Sequence, residues 1–128
     1  MKKIIFLFSF FILLTSCKPT QNAAVGSSME ELWSKPPDLS KVVYTGGDGT
    51  SIENAIVISG AGNERNGIAA EYEYITKKKG VKFVDWKPVG QSTINKDSKK
   101  YDAVSIQNIK NNETITFYFD ITDFYGKW

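Results

Sequence analysis

Between Glu113 and Thr122 the side chains alternate without a break. Ile115, Phe117, Phe119 and Ile121 fall on one side; Thr114, Thr116, Tyr118, Asp120 and Thr122 fall on the other. A period of two predicts a strand with one buried and one wetter face, as in antiparallel pairing. The apolar face of such a sheet must be covered. A helix is predicted from Asn63, or a neighbour that caps it, to about Lys78, with Gly80 as its stop. In it Ile68, Tyr72 and Ile75 stand at i, i+4 and i+7, one helical face. Lys77, Lys78 and Lys79 occupy the last turn, where cations suit the helix dipole, and Glu73 and Lys77 form an i, i+4 pair. Ala55–Ser59 is a short unbroken apolar run that suits a buried central strand. Val42–Tyr44, Val81–Trp86 and Tyr101–Ile109 supply further strands, with Pro88 and Gly90 ending or bending the second of these. Lys110-Asn111-Asn112 turns the last two strands into a hairpin. The prediction is an α+β domain, one helix packed on a small, mostly antiparallel sheet in the order β-α-β-β-β. Phe124, Tyr125 and Trp128 are expected to close one edge of its core.

That core has no disulfide to help it, because Cys17 is the only cysteine. The cysteine ends a distinctive segment. Lys2 and Lys3 precede the apolar run Ile4–Leu14, which is shorter than the roughly 20 residues a membrane-spanning helix needs and fits a signal sequence. Leu14-Thr15-Ser16-Cys17 resembles the lipobox of bacterial lipoprotein precursors. The resemblance implies cleavage before Cys17, lipid on its sulfur, palmitate among the acyl groups, and a firm membrane anchor from two or more chains. Lys18 stands where an Asp would retain such a protein at the inner membrane, which points to the periplasmic face of the outer membrane. Residues 1–16 are therefore expected to be signal peptide, 17–40 the lipidated cysteine and a flexible tether, and 41–128 the single domain. Within the tether, Ser28-x-x-Glu31 resembles a capping box ended by Pro36-Pro37, and Trp33 is a candidate to pack back.

Cleavage removes two lysines and leaves 14 basic and 14 acidic residues in 112. A neutral chain carries no electrostatic footprint for nucleic acid. Thirteen aromatic residues remain, ample for the core of one small domain. The chain has no histidine. This excludes Ser-His-Asp and Cys-His nucleophilic sites, His-containing zinc sites and ordinary histidine acid–base chemistry. No cofactor is expected and no calcium-loop spacing occurs. Any catalysis would fall to carboxylates, Lys, Tyr, Ser or Thr.

Two motifs look like nucleotide chemistry. Gly46-Gly47-Asp48-Gly49-Thr50 resembles the signature of lipid and NAD kinases, but too few residues precede it for that fold, and a glycine turn accounts for it. Ala55–Gly62, the following helix and Val81–Asp85 resemble a dinucleotide-binding unit. There the third glycine, Gly67, comes two positions late, and Glu64 puts negative charge where a pyrophosphate would sit. Glu64 and Glu71 are seven apart and nearly stacked, which suggests a solvated rim beside the apolar stripe or a polar site between helix and sheet. Thr114, Thr116, Tyr118, Asp120 and Thr122 form either a recognition face or simply good strand residues. The spacing of Asp120 and Asp123 sets no catalytic carboxylate separation.

A wider resemblance covers roughly residues 44–128. It is carried by Gly46-Gly-Asp-Gly, Asn63-Glu64-x-x-Gly67, Ala70-Glu71-Tyr72, Gly90-Gln91-Ser92, Tyr101-Asp102 and Tyr118-Phe-Asp120-Ile-x-x-Phe124-x-Gly126-Lys127. These stretches resemble a small set of bacterial exported proteins that share a fold but bring no activity with them. The resemblance implies Asn63, Glu64, Glu71, Gln91 and Asp120 as candidate binding residues. The expectation is a membrane-anchored envelope lipoprotein with a non-enzymatic domain for an envelope protein or cell-wall partner, an inhibitor or immunity-type protein being its specialised form. The alternative is a carboxylate-dependent hydrolase or small-ligand binder at the helix–sheet seam. A concave, partly buried cluster joining Glu64 or Glu71 to Gln91 or Asp120 is what that alternative requires.

Overall fold

A computed structural model describes residues 34–128. The signal segment, Cys17, the Ser28–Glu31 motif and Trp33 lie outside the described residues. Pro36–Trp128 forms one compact unit. Its elements are β1 (Val43–Gly46), β2 (Ile56–Ser59), α1 (Glu64–Lys79), β3 (Trp86–Lys96), β4 (Lys99–Asn108) and β5 (Thr114–Asp120). The fold is α+β. Its sheet has the order β1-β2-β5-β4-β3, antiparallel except for the β2–β5 pair.

The alternation in β5 works as its sequence predicts. Phe117, Phe119 and, just beyond the strand, Ile121 are buried. They join Ile56 and Ile58 of β2, Val104 and Ile106 of β4, and Trp86 of β3 in one core. From β2 the chain passes through α1 to the far edge of the sheet at β3. It then returns by hairpins until β5 lies beside β2. A dinucleotide-binding unit would set the strand after the helix parallel and close to β2; here β3 pairs only with β4.

Helix α1 starts and stops where the sequence indicates. The Asn63 side chain accepts from the Asn66 amide at 2.9 Å, and the Gly80 amide closes the other end on Thr76 at 3.0 Å. Lys77 pairs with Glu73 at 2.8 Å. The buried face is a different one, however. It comprises Gly67, Ala70, Glu71 and Ile75, while Ile68 is exposed and Tyr72 lies half-buried against Trp86 with parallel rings. Small residues decide this, since Gly67 and Ala70 let the helix backbone approach its neighbours more closely than an isoleucine face could.

Two further expectations are corrected. Val81–Asp85 is a turn rather than a strand, because Asp85 folds back to accept the Val81 amide at 2.7 Å and its own amide donates to the Val81 carbonyl. The strand begins at Trp86 and runs through Pro88 and Gly90 with a bulge between them, which an edge strand tolerates. Finally, of the three C-terminal aromatics only Phe124 is buried; Tyr125 is partly exposed and Trp128 almost wholly so.

Candidate functional site

The register of β4 and β5 sorts the acidic residues by face. Asp102 stands opposite Phe119, so it points to the helix side; Asp120 stands opposite Tyr101, so it points to the other. In β3, Thr93 is opposite Asp102 and Gln91 is two residues along on the same side. The Gln91 amide donates to Asp102 Oδ2 at 2.9 Å, and the Thr93 hydroxyl donates to Asp102 Oδ1 at 2.7 Å. Asp102 is thus held by both oxygens on the buried face of a sheet.

From the helix side Glu71 enters the same seam. It is fully buried, and neither carboxyl oxygen meets a hydrogen-bond donor. Burial, and then the negative charge of Asp102 beside it, pushes the Glu71 carboxyl up to about 9. At neutral pH it therefore carries a proton, and that proton makes it a donor to Asp102. A buried carboxylate without a donor would cost several kcal/mol, on the order of 3 or more, and protonation removes that cost.

Asp102 also borders a cavity of about 160 Å³, whose other lining residues are Glu64, Ile68, Gln91, Thr93, Ile121, Phe124 and Tyr125. It has no Lys or Arg in its lining. Glu64 stands at one wall with its carboxylate accepting the Gly126 amide at 2.6 Å, while its own amide donates to the Lys127 carbonyl at 2.7 Å. These bonds fix the C-terminal turn that carries Phe124 and Tyr125.

The five residues singled out from the sequence divide accordingly. Glu64, Glu71 and Gln91 come together at the seam. Asn63 is the helix cap. Asp120 belongs to the opposite face, where it accepts from the Thr122 amide and hydroxyl at 3.1 and 2.6 Å and meets Lys99 at 3.5 Å. The solvated-rim reading of Glu71 is overturned, because Glu71 lies on the buried face of α1. Sequence reading passed over Asp102 and Thr93 as site residues, although the parity of Asp102 with Val104 and Ile106 marks it as inward-facing.

Other motifs resolve into structure. In the glycine turn, Gly47 and Gly49 donate to the Ala55 and Asn54 carbonyls at 3.0 and 2.7 Å, and the Thr50 amide donates to Asp48. Those amides are spent and cradle no phosphate. Asp123 accepts the Gly60 amide at 3.0 Å. The Thr116 hydroxyl pairs with Ser105 at 2.8 Å. Among the described residues no group of three or more His, Cys, Asp or Glu is placed to hold a metal ion, and no helix is long and apolar enough to cross a membrane. Comparison with protein-family models, curated proteins and solved structures finds no match.

Proposed function

We propose that this chain is an envelope lipoprotein, anchored by lipid on Cys17, whose domain binds the amine-bearing end of an envelope protein or cell-wall partner in the helix–sheet seam. The observation that carries the binding reading is Asp102, backed by buried Glu71, in the wall of a cavity that also contains Glu64 and no lysine or arginine. An ammonium group placed there would be met by carboxylates and by the Phe124 and Tyr125 rings, which favour cations. The cavity holds about five waters' share of volume. That suits one terminal group of a larger molecule better than a whole drug-sized ligand.

The alternative, acid–base hydrolysis, is favoured by one feature: two adjacent carboxyls with different protonation states. Against it, Glu71 has no exposed surface, so its proton reaches a substrate only by way of Asp102. Binding without chemistry is the better fit.

Calorimetric titration with short primary amines and with alcohols of the same size tests the proposal. Amines should bind and alcohols should not. Asp102→Asn should abolish the difference. A bound cation also favours ionised Glu71, so the heat should depend on the buffer's ionisation enthalpy as a proton leaves. Equal heats for amine and alcohol, or an unchanged Asp102→Asn, would refute the amine site. Hydrolysis of envelope glycans or peptides that disappears in Glu71→Gln would favour the enzyme instead.

A further inference from the structure

The turn between α1 and β3 presents apolar side chains to solvent. Phe83 is 69% exposed, Val84 66% and Val81 57%, and Ile109, whose amide donates to the Asp85 carbonyl at 2.9 Å, adds another at 42%. These four residues form one patch at one end of the sheet. Singly exposed apolar residues are ordinary; a cluster at a loop tip is not.

The tip is rigidly built. Asp85 accepts the Val81 amide, the Val84 and Asp85 amides return to the Val81 carbonyl, and the Phe83 amide donates to the Trp86 carbonyl at 2.6 Å. Phe83 sits at φ +65°, a left-handed conformation that disfavours a bulky side chain. Backbone strain here holds a phenylalanine outward, where it contributes nothing to the core. Such an outlier points to a use for the exposed ring.

Charge identifies the partner. Lys79, Lys82, Lys87 and Lys110 flank the patch in the chain, while the Asp85 carboxylate is turned onto the Val81 amide. Lys82 lies over the rings of Tyr72 and Phe83, 3.9 and 5.1 Å from their centroids. An apolar tip with Lys82 over its phenylalanine and three more lysines beside it in the chain is complementary to the headgroup region of an anionic bilayer: the rings and aliphatic groups enter the acyl boundary and the ammonium groups meet lipid phosphates. We infer that the Val81–Asp85 turn is a second membrane contact, one that docks this end of the domain on an anionic phospholipid surface. It is separate from the amine-binding seam and needs no lipid on the chain.

Vesicle co-sedimentation tests it with the chain from residue 17 onward carrying Cys17→Ser, so that no acyl chain contributes. The protein should pellet with phosphatidylglycerol-containing vesicles, pellet less as salt is raised, and stay in solution with pure phosphatidylcholine. Phe83→Ser should weaken partitioning about tenfold, as expected for withdrawing one aromatic side chain from an apolar phase. The doubly reversed Lys87→Glu/Lys110→Glu protein should lose the preference for anionic lipid. Circular dichroism of each variant separates lost docking from lost folding, since all three side chains are exposed. No sedimentation with anionic vesicles, or full sedimentation of folded Phe83→Ser, overturns the inference. So does a patch that captures an envelope protein while leaving bare anionic vesicles unbound.

Discussion

Gly67 of the helix lies directly against the ring of Phe124. A Cβ built at position 67 would stand 2.2 Å from Phe124 Cε2, well inside contact distance, and Phe124 is buried. This approach brings α1 down onto the sheet and sets one wall of the seam cavity, which Phe124 lines. Gly67→Ala should therefore cost about 2 kcal/mol through overpacking, despite the better helix propensity of alanine. Chemical denaturation would measure it. A gain in stability would mean that the ring moves freely, and the cavity wall with it.

The Glu71 carboxyl predicts an unusual pH profile. Its folded value, about 9, lies above the 4.5 of an ordinary glutamate. Between these two values the folded state holds a proton that the unfolded state has lost, so this contribution to stability is complete below pH 4.5 and falls as pH rises through 9. The full swing is at most about 6 kcal/mol. Asp38, Asp48, Glu53 and Glu73 are held below their ordinary values by hydrogen bonds and a neighbouring lysine, which favours the fold at neutral over acid pH. Glu73 is partly exposed and the other three are exposed, so solvent screening leaves them opposing the Glu71 slope only weakly. Glu71→Gln keeps the shape and a donor toward Asp102 while removing the titration. It should be more stable than the natural chain at pH 8, by about 3 kcal/mol, and should lose the decline between pH 5 and 9. Thermal unfolding across that range decides; parallel profiles for the two proteins would place Glu71 in contact with water.

How much of this was readable beforehand depends on the kind of signal. The alternation of β5 and the caps of α1 are local, and both appear in the structure as read. The site depends on non-local approach. Gly67, Glu71 and Ile75 recur at i, i+4 and i+8, but hydrophobicity draws attention to Ile68 and Tyr72, so the small residues that define the buried face were overlooked. Asp102 shares its parity with Val104 and Ile106 and was within reach of the same reasoning that placed Phe119. Thr93 was not, because the bulge after Pro88 resets the register of β3 and only its pairing with β4 shows which side Thr93 faces.

Glu64 ties the start of α1 to the C-terminal residues. Its carboxylate accepts from the Gly126 amide, and its own amide donates to the Lys127 carbonyl. Glu64→Gln retains an acceptor but not the charge, and should cost about 1 kcal/mol; Glu64→Ala removes the acceptor and should cost about 2 kcal/mol. Hydrogen exchange at Gly126 should quicken in the alanine variant before the sheet amides respond. If Gly126 exchanges at the natural rate, the C-terminal turn is held by Lys127 and the Phe124 ring alone, and Glu64 is free to serve the cavity.

Phe83 separates what the fold needs from what its surface does. A phenylalanine at φ +65° costs about 1–2 kcal/mol relative to an unstrained residue, whereas glycine adopts that conformation freely and loses about 0.5–1 kcal/mol through the greater freedom of its unfolded chain. Phe83→Gly should therefore gain about 0.5–1 kcal/mol, raising the melting temperature by about 4 °C for a domain of this size. Phe83→Ala retains a Cβ, hence the strain, and should gain nothing. Both variants lose the ring and should dock less well on anionic vesicles. A glycine variant that melts with or below the alanine variant would show that the turn is relaxed as it stands, and the exposed ring would then need no function to explain it.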